Sequence, residues 1–221
     1  MRQRPCSFEA SAAKVGRLDY LLSVPRDHDA RGRPLILFLH GSEERGCDLE
    51  RIARHGIPKI AEEDPDFPFV AISPQLPPGG VWHRYHRTLL ALLDDVIECH
   101  TVDPGRVYLT GVSLGGYGAW HLAAHAPERF AAVVPVCGGG LPSQGFPEEV
   151  HALKEVPVWA FHGALDTVVP PSESERLVDL LRRAGGDARL TLYPDLGHDS
   201  WTRTYEDPAV YEWLLEHERR R

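Results

Sequence analysis

One serine of this chain lies where its hydroxyl could act as a nucleophile. Ser113 is the central residue of the sequence GVSLG at 111–115, between an apolar, β-branched run at 106–110 and small and apolar residues at helical spacing. Glycines on both sides of a serine permit a sharp strand-to-helix turn, which lifts the hydroxyl out of a sheet at a helix N-terminus. The pattern alone also fits a glycine-rich helix start, so it predicts a hydrolase only if an acid and a histidine accompany it.

An aspartate and a histidine follow this serine, each directly after an apolar run of strand length. Asp166 comes after the run at 156–161, and His198 comes after the run at 188–193. A serine hydroxyl is a poor nucleophile at neutral pH, so it needs an imidazole to accept its proton and a carboxylate to orient that imidazole. The order serine, aspartate, histidine is that of α/β-hydrolases. We therefore predict that Ser113, Asp166 and His198 form a catalytic triad.

Three other residues compete for these roles. Asp195 and Asp199 flank His198 in the sequence, but both positions are typical of aspartates that form turns. Cys137 is the alternative nucleophile, although it lies beyond an apolar run without a second elbow sequence. These three residues remain the alternatives to the predicted acid and nucleophile.

The tetrahedral intermediate of acyl transfer carries a negative charge that needs two backbone donors. We predict that one donor is the amide of Leu114, and that the other is the amide of Ser42 in the loop after the apolar run at 35–39. His40 and His162 are expected to support the loops of the site rather than to react. Four further residues are predicted to contact the substrate: Trp82, His83, Tyr85 and Trp201.

Apolar runs of strand length alternate with helical patterns along the whole chain. Strands are predicted at 17–24, 35–39, 69–73, 106–110, 131–136, 156–161 and 188–193. Helices are predicted as one or two turns within 48–60, at 88–100, from the serine turn to 126, at 172–184 with Ser172 as its cap, and from 208 onwards. This alternation predicts a three-layer α/β/α sandwich with a mainly parallel sheet, whose active sites lie at the carboxyl ends of the strands.

Composition narrows the class of protein. With 221 residues the chain fits a single domain spanning 1–221, and a net charge of −8 disfavours nucleic acid and anionic membranes as partners. No apolar run approaches the roughly 20 residues that span a bilayer. The N-terminal residues lack the apolar core of a signal peptide, which favours the cytoplasm or a secreted protein whose leader has been removed. Four scattered cysteines predict free thiols, and we expect no metal and no cofactor.

Five segments of the chain together resemble a known family: HGSEERG, SPQ, DPGRVYLTGVSLGGYGAW, VPVWAFHGALDTVVP and YPDLGHDSWT. The chain is similar to bacterial esterases related to the prolyl-oligopeptidase and dienelactone-hydrolase branches of the α/β-hydrolases, including phospholipase/carboxylesterase-like proteins. The resemblance implies an α/β-hydrolase fold without a large cap domain. It also implies that Ser113, Asp166 and His198 are the triad and that Ser42 and Leu114 form the oxyanion hole. Relatives act on carboxylic esters, some of them feruloyl or acetyl esters.

Two positions depart from the family pattern. The loop of the family reads HG-x-G-E-R-G, whereas Glu43 replaces the second glycine here. A glutamate tolerates fewer backbone conformations than glycine, so this substitution predicts a less well-formed oxyanion loop. Leu114 replaces a methionine that is common after the nucleophile, and this near-isosteric change should matter little.

These residues predict a serine carboxylesterase that hydrolyses short-chain or aromatic esters through an acyl-enzyme intermediate. The alternatives are a serine peptidase of the prolyl-oligopeptidase type and a catalytically inactive binding protein on the same fold. The expected partner is a small-molecule ester, and the expected assembly is a monomer or a homodimer.

Overall fold

A computed structural model of the chain describes residues 3–9, 17–25, 32–141, 143, 146 and 148–219. These residues contain an eight-stranded sheet with the strand order β1-β2-β4-β3-β5-β6-β7-β8. The strands are β1 (Arg4–Phe8), β2 (Leu18–Ser23), β3 (Arg33–Leu39), β4 (Val70–Pro74), β5 (Val102–Val112), β6 (Ala132–Val136), β7 (Val158–Gly163) and β8 (Ala188–Tyr193). Strand β2 pairs antiparallel with both β1 and β4, and the remaining neighbours pair in parallel.

Six α-helices cover the two faces of this sheet. They are α1 (Gly56–Glu63), α2 (His86–Cys99), α3 (Leu114–His125), α4 (Ser172–Arg183), α5 (Trp201–Glu206) and α6 (Pro208–Leu215). Short 3₁₀ segments precede α1 at Leu49–Arg54, precede α2 at Trp82–Arg84, follow α3 at Pro127–Arg129 and precede β7 at Glu148–Leu153. No helix in the described part of the chain combines the length and apolar composition needed to cross a bilayer.

The alternation of side chains along β3 shows how the sheet is buried on both sides. Leu35, Leu37 and Leu39 belong to the core cluster formed with α2, α3 and α4, whereas Ile36 and Phe38 belong to the cluster formed with α1, α5 and α6. Successive side chains of a strand point to opposite faces, so a continuous apolar run is what a doubly covered strand requires. Truncation of one of these side chains to alanine would cost about 2–5 kcal/mol of stability. The predicted three-layer α/β/α sandwich is confirmed.

The predicted strands and the observed strands agree closely, but two short elements were missed and one predicted helix cap is wrong. Strand β1 was not predicted, because its sequence RPCSF lacks an apolar run and its residues are mostly exposed at the sheet edge. Helix α5 was not predicted either. Helix α4 is capped at Pro171 rather than at Ser172, and no side chain caps it: the amide of Glu175 donates to the backbone carbonyl of Pro171.

Candidate active site

Ser113 lies between the last residue of β5 and the first residue of α3. Its backbone angles are φ 53° and ψ −115°, a sparsely populated region for a residue with a side chain. A hydrogen bond from its amide to the carbonyl of Val136 (3.0 Å) holds it there. Neighbouring backbone approaches so closely that a Cβ on Gly115 would lie 1.8 Å from the carbonyl oxygen of Leu39. The glycine is therefore needed for close packing, and the elbow geometry predicted from GVSLG is present.

His198 lies in the loop between β8 and α5, with both ring nitrogens engaged. Its Nε2 is 3.0 Å from Ser113 Oγ, and its Nδ1 is 2.7 Å from Asp166 Oδ2. The loops carrying the acid and the histidine touch at Gly163, where a Cβ would lie 2.1 Å from the carbonyl oxygen of Gly197. Because of this close contact, the loops that follow β7 and β8 lie next to each other. The structure thus places the three predicted triad residues in one hydrogen-bonded chain.

Asp166 is buried and surrounded by donors. Its Oδ1 accepts hydrogen bonds from the amides of Val168 (2.8 Å) and Val169 (2.9 Å), while its Oδ2 faces His198. Burial by itself raises the pKa of this carboxyl, but the hydrogen bonds from His198 and from the two amides outweigh burial and hold the pKa below its usual range. Asp166 is therefore ionised at neutral pH beside the imidazole of His198.

The two alternative acids and the alternative nucleophile have surroundings that do not suit these roles. Asp195 is exposed and makes two 2.8 Å hydrogen bonds with the guanidinium of Arg203. Asp199 accepts from the amide (3.1 Å) and the hydroxyl (3.0 Å) of Thr202 at the start of α5. Burial raises the pKa of the Cys137 thiol to about 12, so it is not a thiolate at neutral pH. The turn role expected for the two aspartates agrees with these contacts.

The side chain of His40 supports the loop after β3 through hydrogen bonds of both ring nitrogens. The imidazole accepts at Nε2 from the amide of Leu76 (2.9 Å), so Nδ1 carries the hydrogen and donates to the carbonyl of Gly41 (2.6 Å). Burial lowers the pKa of His40 to about 4, which keeps the ring neutral. Ser42 follows at the exposed apex of the loop, and a Cβ on Gly41 would lie 3.7 Å from Ser113 Cβ. The predicted oxyanion loop therefore lies beside the predicted nucleophile.

Two arginines hold the same loop through its carbonyl groups. Arg45 donates to the carbonyls of Ser42 (2.8 Å) and Gly80 (3.3 Å), and Arg51 donates to the carbonyls of Arg45 (3.0 Å) and Glu43. Glu43 is exposed, and its φ is not positive. Glu43 is thus accommodated without the left-handed backbone conformation that favours glycine, and its effect on the oxyanion loop stays a prediction.

Among the four predicted substrate contacts, Trp201 lies beside the triad. Its ring packs edge-on against the ring of His198, with 5.5 Å between centroids. The prediction for Trp82 is wrong: this side chain is 1% exposed and donates from Nε1 to the carbonyl of His40 (3.0 Å), beneath the loop. Half-buried Tyr85 packs against the core, and His83 lies 6.1 Å from the ring of His121 on α3.

Sequence reasoning missed three residues near the triad. Tyr117 is half-buried one turn after Ser113 on α3, and its i+4 position relative to the serine was the available signal. Leu165 and Val168 flank Asp166 and are 61% and 67% exposed, which is unusual for large apolar residues. We refer to these two exposed neighbours of Asp166 in the sequence as the apolar rim. Among the described residues, no three His, Cys, Asp or Glu side chains are arranged to hold a metal ion.

An elbow serine hydrogen-bonded to a histidine, which is bonded in turn to a buried aspartate, defines the site of a serine hydrolase. Its position at the carboxyl edge of a mainly parallel sheet defines the α/β-hydrolase fold. Residues 82–213 match the model of the phospholipase/carboxylesterase family, and the chain belongs to that family.

Known relatives are similar to this chain over most of its length. A protein of Salmonella typhimurium described as "Putative carboxymethylenebutenolidase" is 33% identical over 175 residues, which cover 72% of this chain and 64% of that protein. The crystal structure of a thermostable esterase superposes with a TM-score of 0.83 at 31% identity, covering 98% of this chain and 63% of that one. An acylaminoacyl peptidase of Pyrococcus horikoshii has a TM-score of 0.74 at 14% identity and shares the fold, with 100% of this chain and 42% of that chain covered. This chain therefore spans less than two thirds of the length of these relatives.

Proposed function

We propose that this protein is a serine carboxylesterase in which Ser113 is the nucleophile, His198 the general base and acid, and Asp166 the residue that orients and stabilises the imidazole. The observation that supports this most strongly is the chain of contacts from Ser113 Oγ to His198 Nε2 (3.0 Å) and from His198 Nδ1 to Asp166 Oδ2 (2.7 Å). These are distances at which proton transfer can occur.

The reaction follows from this geometry in two halves. Ser113 Oγ attacks the ester carbonyl carbon while its proton moves to His198 Nε2, and the amides of Ser42 and Leu114 stabilise the oxyanion. Collapse of this intermediate breaks the bond to the alcohol, which leaves with the proton from His198, and an acyl-serine remains. Water then attacks the acyl carbon with His198 again accepting the proton. The second intermediate releases the carboxylic acid and restores the serine.

The substrates that fit the site best are short-chain or aromatic esters. This is supported by Trp201, a flat apolar ring that packs against His198, and by the exposed apolar side chains of Leu165 and Val168, which are near Asp166 in the sequence. A long acyl chain would need a deep apolar site, and Trp82, which could have lined one, is instead buried beneath the oxyanion loop. The names of two of the three similar proteins, a putative carboxymethylenebutenolidase and an esterase, agree with attack on carboxylic esters.

A panel of chromogenic substrates tests this function. We expect turnover of p-nitrophenyl acetate and butyrate and of methyl ferulate, falling for acyl chains longer than about eight carbons because the apolar rim is open. The p-nitroanilides of the same acids test the peptidase alternative, and comparable turnover of anilide and ester would favour it. A purified, folded protein that neither hydrolyses any of these esters nor reacts with a fluorophosphonate would contradict the proposal and favour the inactive binding protein.

A further inference from the structure

A second histidine reaches the aspartate of the site from the side opposite His198. His162 lies near the end of β7, and its side chain is fully buried. Its Nε2 is 3.2 Å from Asp166 Oδ2 and 3.0 Å from the carbonyl oxygen of Val169. Its Nδ1 is 2.8 Å from Ser174 Oγ on α4, and that hydroxyl lies 3.2 Å from the carbonyl oxygen of Gly138.

The partners of His162 determine which nitrogen carries its hydrogen. Nε2 faces a carboxylate oxygen and a carbonyl oxygen, and both are acceptors only. A bare nitrogen there would be repelled by both of them, so Nε2 must be the protonated nitrogen. The hydroxyl of Ser174 has one hydrogen, which can be donated either to the carbonyl oxygen of Gly138 at 3.2 Å or to Nδ1 at 2.8 Å. When it is donated to the nearer Nδ1, it satisfies the unprotonated nitrogen. His162 is then neutral, and its Nε2–H is hydrogen-bonded to the carbonyl oxygen of Val169 at 3.0 Å and also faces Asp166 Oδ2 at 3.2 Å.

The same carboxylate oxygen therefore faces two imidazole N–H groups. Asp166 Oδ2 accepts from His198 Nδ1 at 2.7 Å and lies 3.2 Å from His162 Nε2, whose hydrogen it shares with the carbonyl oxygen of Val169, while Oδ1 accepts from two backbone amides. A carboxylate has about four acceptor sites, so these four donors saturate it and fix its plane. The donor from His162 also withdraws negative charge from the oxygen that must stabilise the His198 imidazolium.

We propose that His162 is a positioning residue: by donating from Nε2 to Asp166 Oδ2, it fixes the orientation of the carboxylate and limits how strongly that carboxylate stabilises the protonated form of His198. The inference rests on the proposed esterase mechanism and deepens it. Loss of this donor should turn the carboxylate and lower kcat. It should also leave more charge on Oδ2, so that His198 stays protonated to a higher pH.

The ionisable groups around this pair come from four parts of the fold. His198 faces Asp166 from the β8–α5 loop, and Cys137 approaches from the end of β6. Tyr117 on α3 and Glu173 on α4 face the site from the opposite helices, and the Glu173 carboxylate is paired with Arg176 at 2.8 Å. Burial raises the pKa of Cys137 to about 12 and also raises that of Tyr117, so neither group changes its charge near neutral pH.

Two substitutions at position 162 differ in whether the side-chain amide reaches the former Nε2 position, next to Asp166. In His162→Gln the side-chain amide extends to the former Nε2 position and can still donate to Asp166. In His162→Asn the amide reaches only the former Nδ1 position, so that it keeps the contact with Ser174 and loses the one with Asp166. Ser174→Ala is the control that removes the Nδ1 partner and leaves the Nε2 contact in place. Thermal unfolding establishes that each variant is folded.

We expect His162→Asn to lower kcat about tenfold, far less than the roughly 10⁴-fold expected for loss of the triad carboxylate, with KM little changed. The acid limb of its kcat/KM profile should move up by about one pH unit or less. His162→Gln and Ser174→Ala should keep the acid limb of the parent. An unchanged acid limb in His162→Asn, or the same loss in Asn and Gln, would overturn the proposal and leave His162 a packing residue.

Nitrogen NMR on the parent protein with labelled histidine tests the contact without any substitution. We expect His162 to be neutral with its hydrogen on Nε2, and detection of the Nδ1–H form would overturn the proposal. This measurement does not depend on turnover. A protein that hydrolyses no ester but shows the Nε2–H form would therefore contradict the proposed function and leave the hydrogen bond established.

Discussion

Two groups of histidines in this protein have opposite surroundings. The first group, His162 and His198, lies at the carboxyl ends of β7 and β8 around Asp166, and every ring nitrogen has a hydrogen-bonding partner. The second group lies on the flank of the molecule at α3 and the start of α2, and consists of His83, His86, His121 and His125. In it the Nε2 atoms of His86 and His121 are buried and have no hydrogen-bonding partner among the described residues.

The difference in surroundings explains why His198 is better suited to accept a proton than His86 or His121. Burial lowers the pKa of His86 to about 3 and that of His121 to about 4, and neighbouring imidazoles add to the effect. No carboxylate among the described residues is hydrogen-bonded to either ring, so protonation of these rings is opposed. His198 instead has a buried carboxylate 2.7 Å from Nδ1 and a hydroxyl 3.0 Å from Nε2. A charged partner, rather than the number of histidines, therefore distinguishes the site.

The largest effect should come from removing the nucleophile next to the first group. We expect Ser113→Ala to lower ester turnover by on the order of 10⁶-fold, because loss of a triad nucleophile removes covalent catalysis. The half-buried hydroxyl contributes little to packing, so the thermal midpoint should stay near that of the parent. Ser172→Ala, at an exposed position on α4, is the matched control and should retain full activity. Turnover above a tenth of the parent in Ser113→Ala would assign the nucleophile to another residue.

The next largest effect should come from neutralising the carboxylate of Asp166, which is present in the first group and has no described counterpart in the second. Asp166→Asn should lower kcat about 10⁴-fold, because an amide cannot stabilise the imidazolium and permits the wrong tautomer. The same substitution at Asp199, which caps α5 through Thr202, should change kcat by less than about threefold. Measurement of kcat and KM on p-nitrophenyl acetate separates the two aspartates. A larger loss in Asp199→Asn than in Asp166→Asn would reverse the assignment of the acid.

The second group should affect stability in acid rather than catalysis. A histidine in an unfolded chain titrates near pH 6.5, whereas His86 and His121 titrate at about 3 and 4 when folded. Below about pH 6.5 the unfolded state therefore binds more protons than the folded state, and the free energy of unfolding decreases as the pH falls. We expect His86→Leu to reduce this decrease by about 1–2 kcal/mol between pH 6.5 and 5. Urea unfolding at pH 6.5 and at pH 5 measures this change in the free energy of unfolding.

His151→Gln removes an exposed histidine and serves as the control for that experiment. Its free energy of unfolding should depend on pH in the same way as that of the parent. An equal pH dependence in His86→Leu and in the parent would show that the second group does not destabilise the folded protein in acid.

The smallest effect should be found at Glu43, which lies in the oxyanion loop but outside both groups. Because its φ is not positive and its side chain is exposed, we expect Glu43→Gly to change kcat by less than about twofold. Glu43→Gln separates the effect of charge from that of the backbone. A tenfold gain in the glycine variant alone would show that the loop is strained at this position after all.

The sequence predicted those parts of the site that depend on strand ends. Ser113, Asp166 and His198 each follow an apolar run, and the ends of parallel strands meet at one edge of a sheet, so their proximity could be inferred without coordinates. Trp82 could not be placed in this way. Its 3₁₀ segment turns the ring beneath the oxyanion loop, and periodicity contains no information on which side of a short irregular segment is buried.

Contacts between individual side-chain atoms could also not be predicted from the sequence. The support of the acid loop by His162 was expected, but the contact of its Nε2 with the same oxygen that His198 binds depends on side-chain rotamers. Strand β1 and the exposed rim of Leu165 and Val168 were missed for a related reason. An edge strand and a site rim both lack the apolar periodicity that identifies a buried element.

The central claim is that Ser113 is activated by His198 and Asp166, and covalent trapping tests it most directly. A fluorophosphonate is incubated with the parent, with Ser113→Ala and with Asp166→Asn, and the adduct is located by peptide mass spectrometry. The account predicts a single adduct on Ser113 in the parent, none in Ser113→Ala, and labelling slowed by orders of magnitude in Asp166→Asn. An adduct on a different residue, or equally fast labelling of Ser113 in Asp166→Asn, would contradict it.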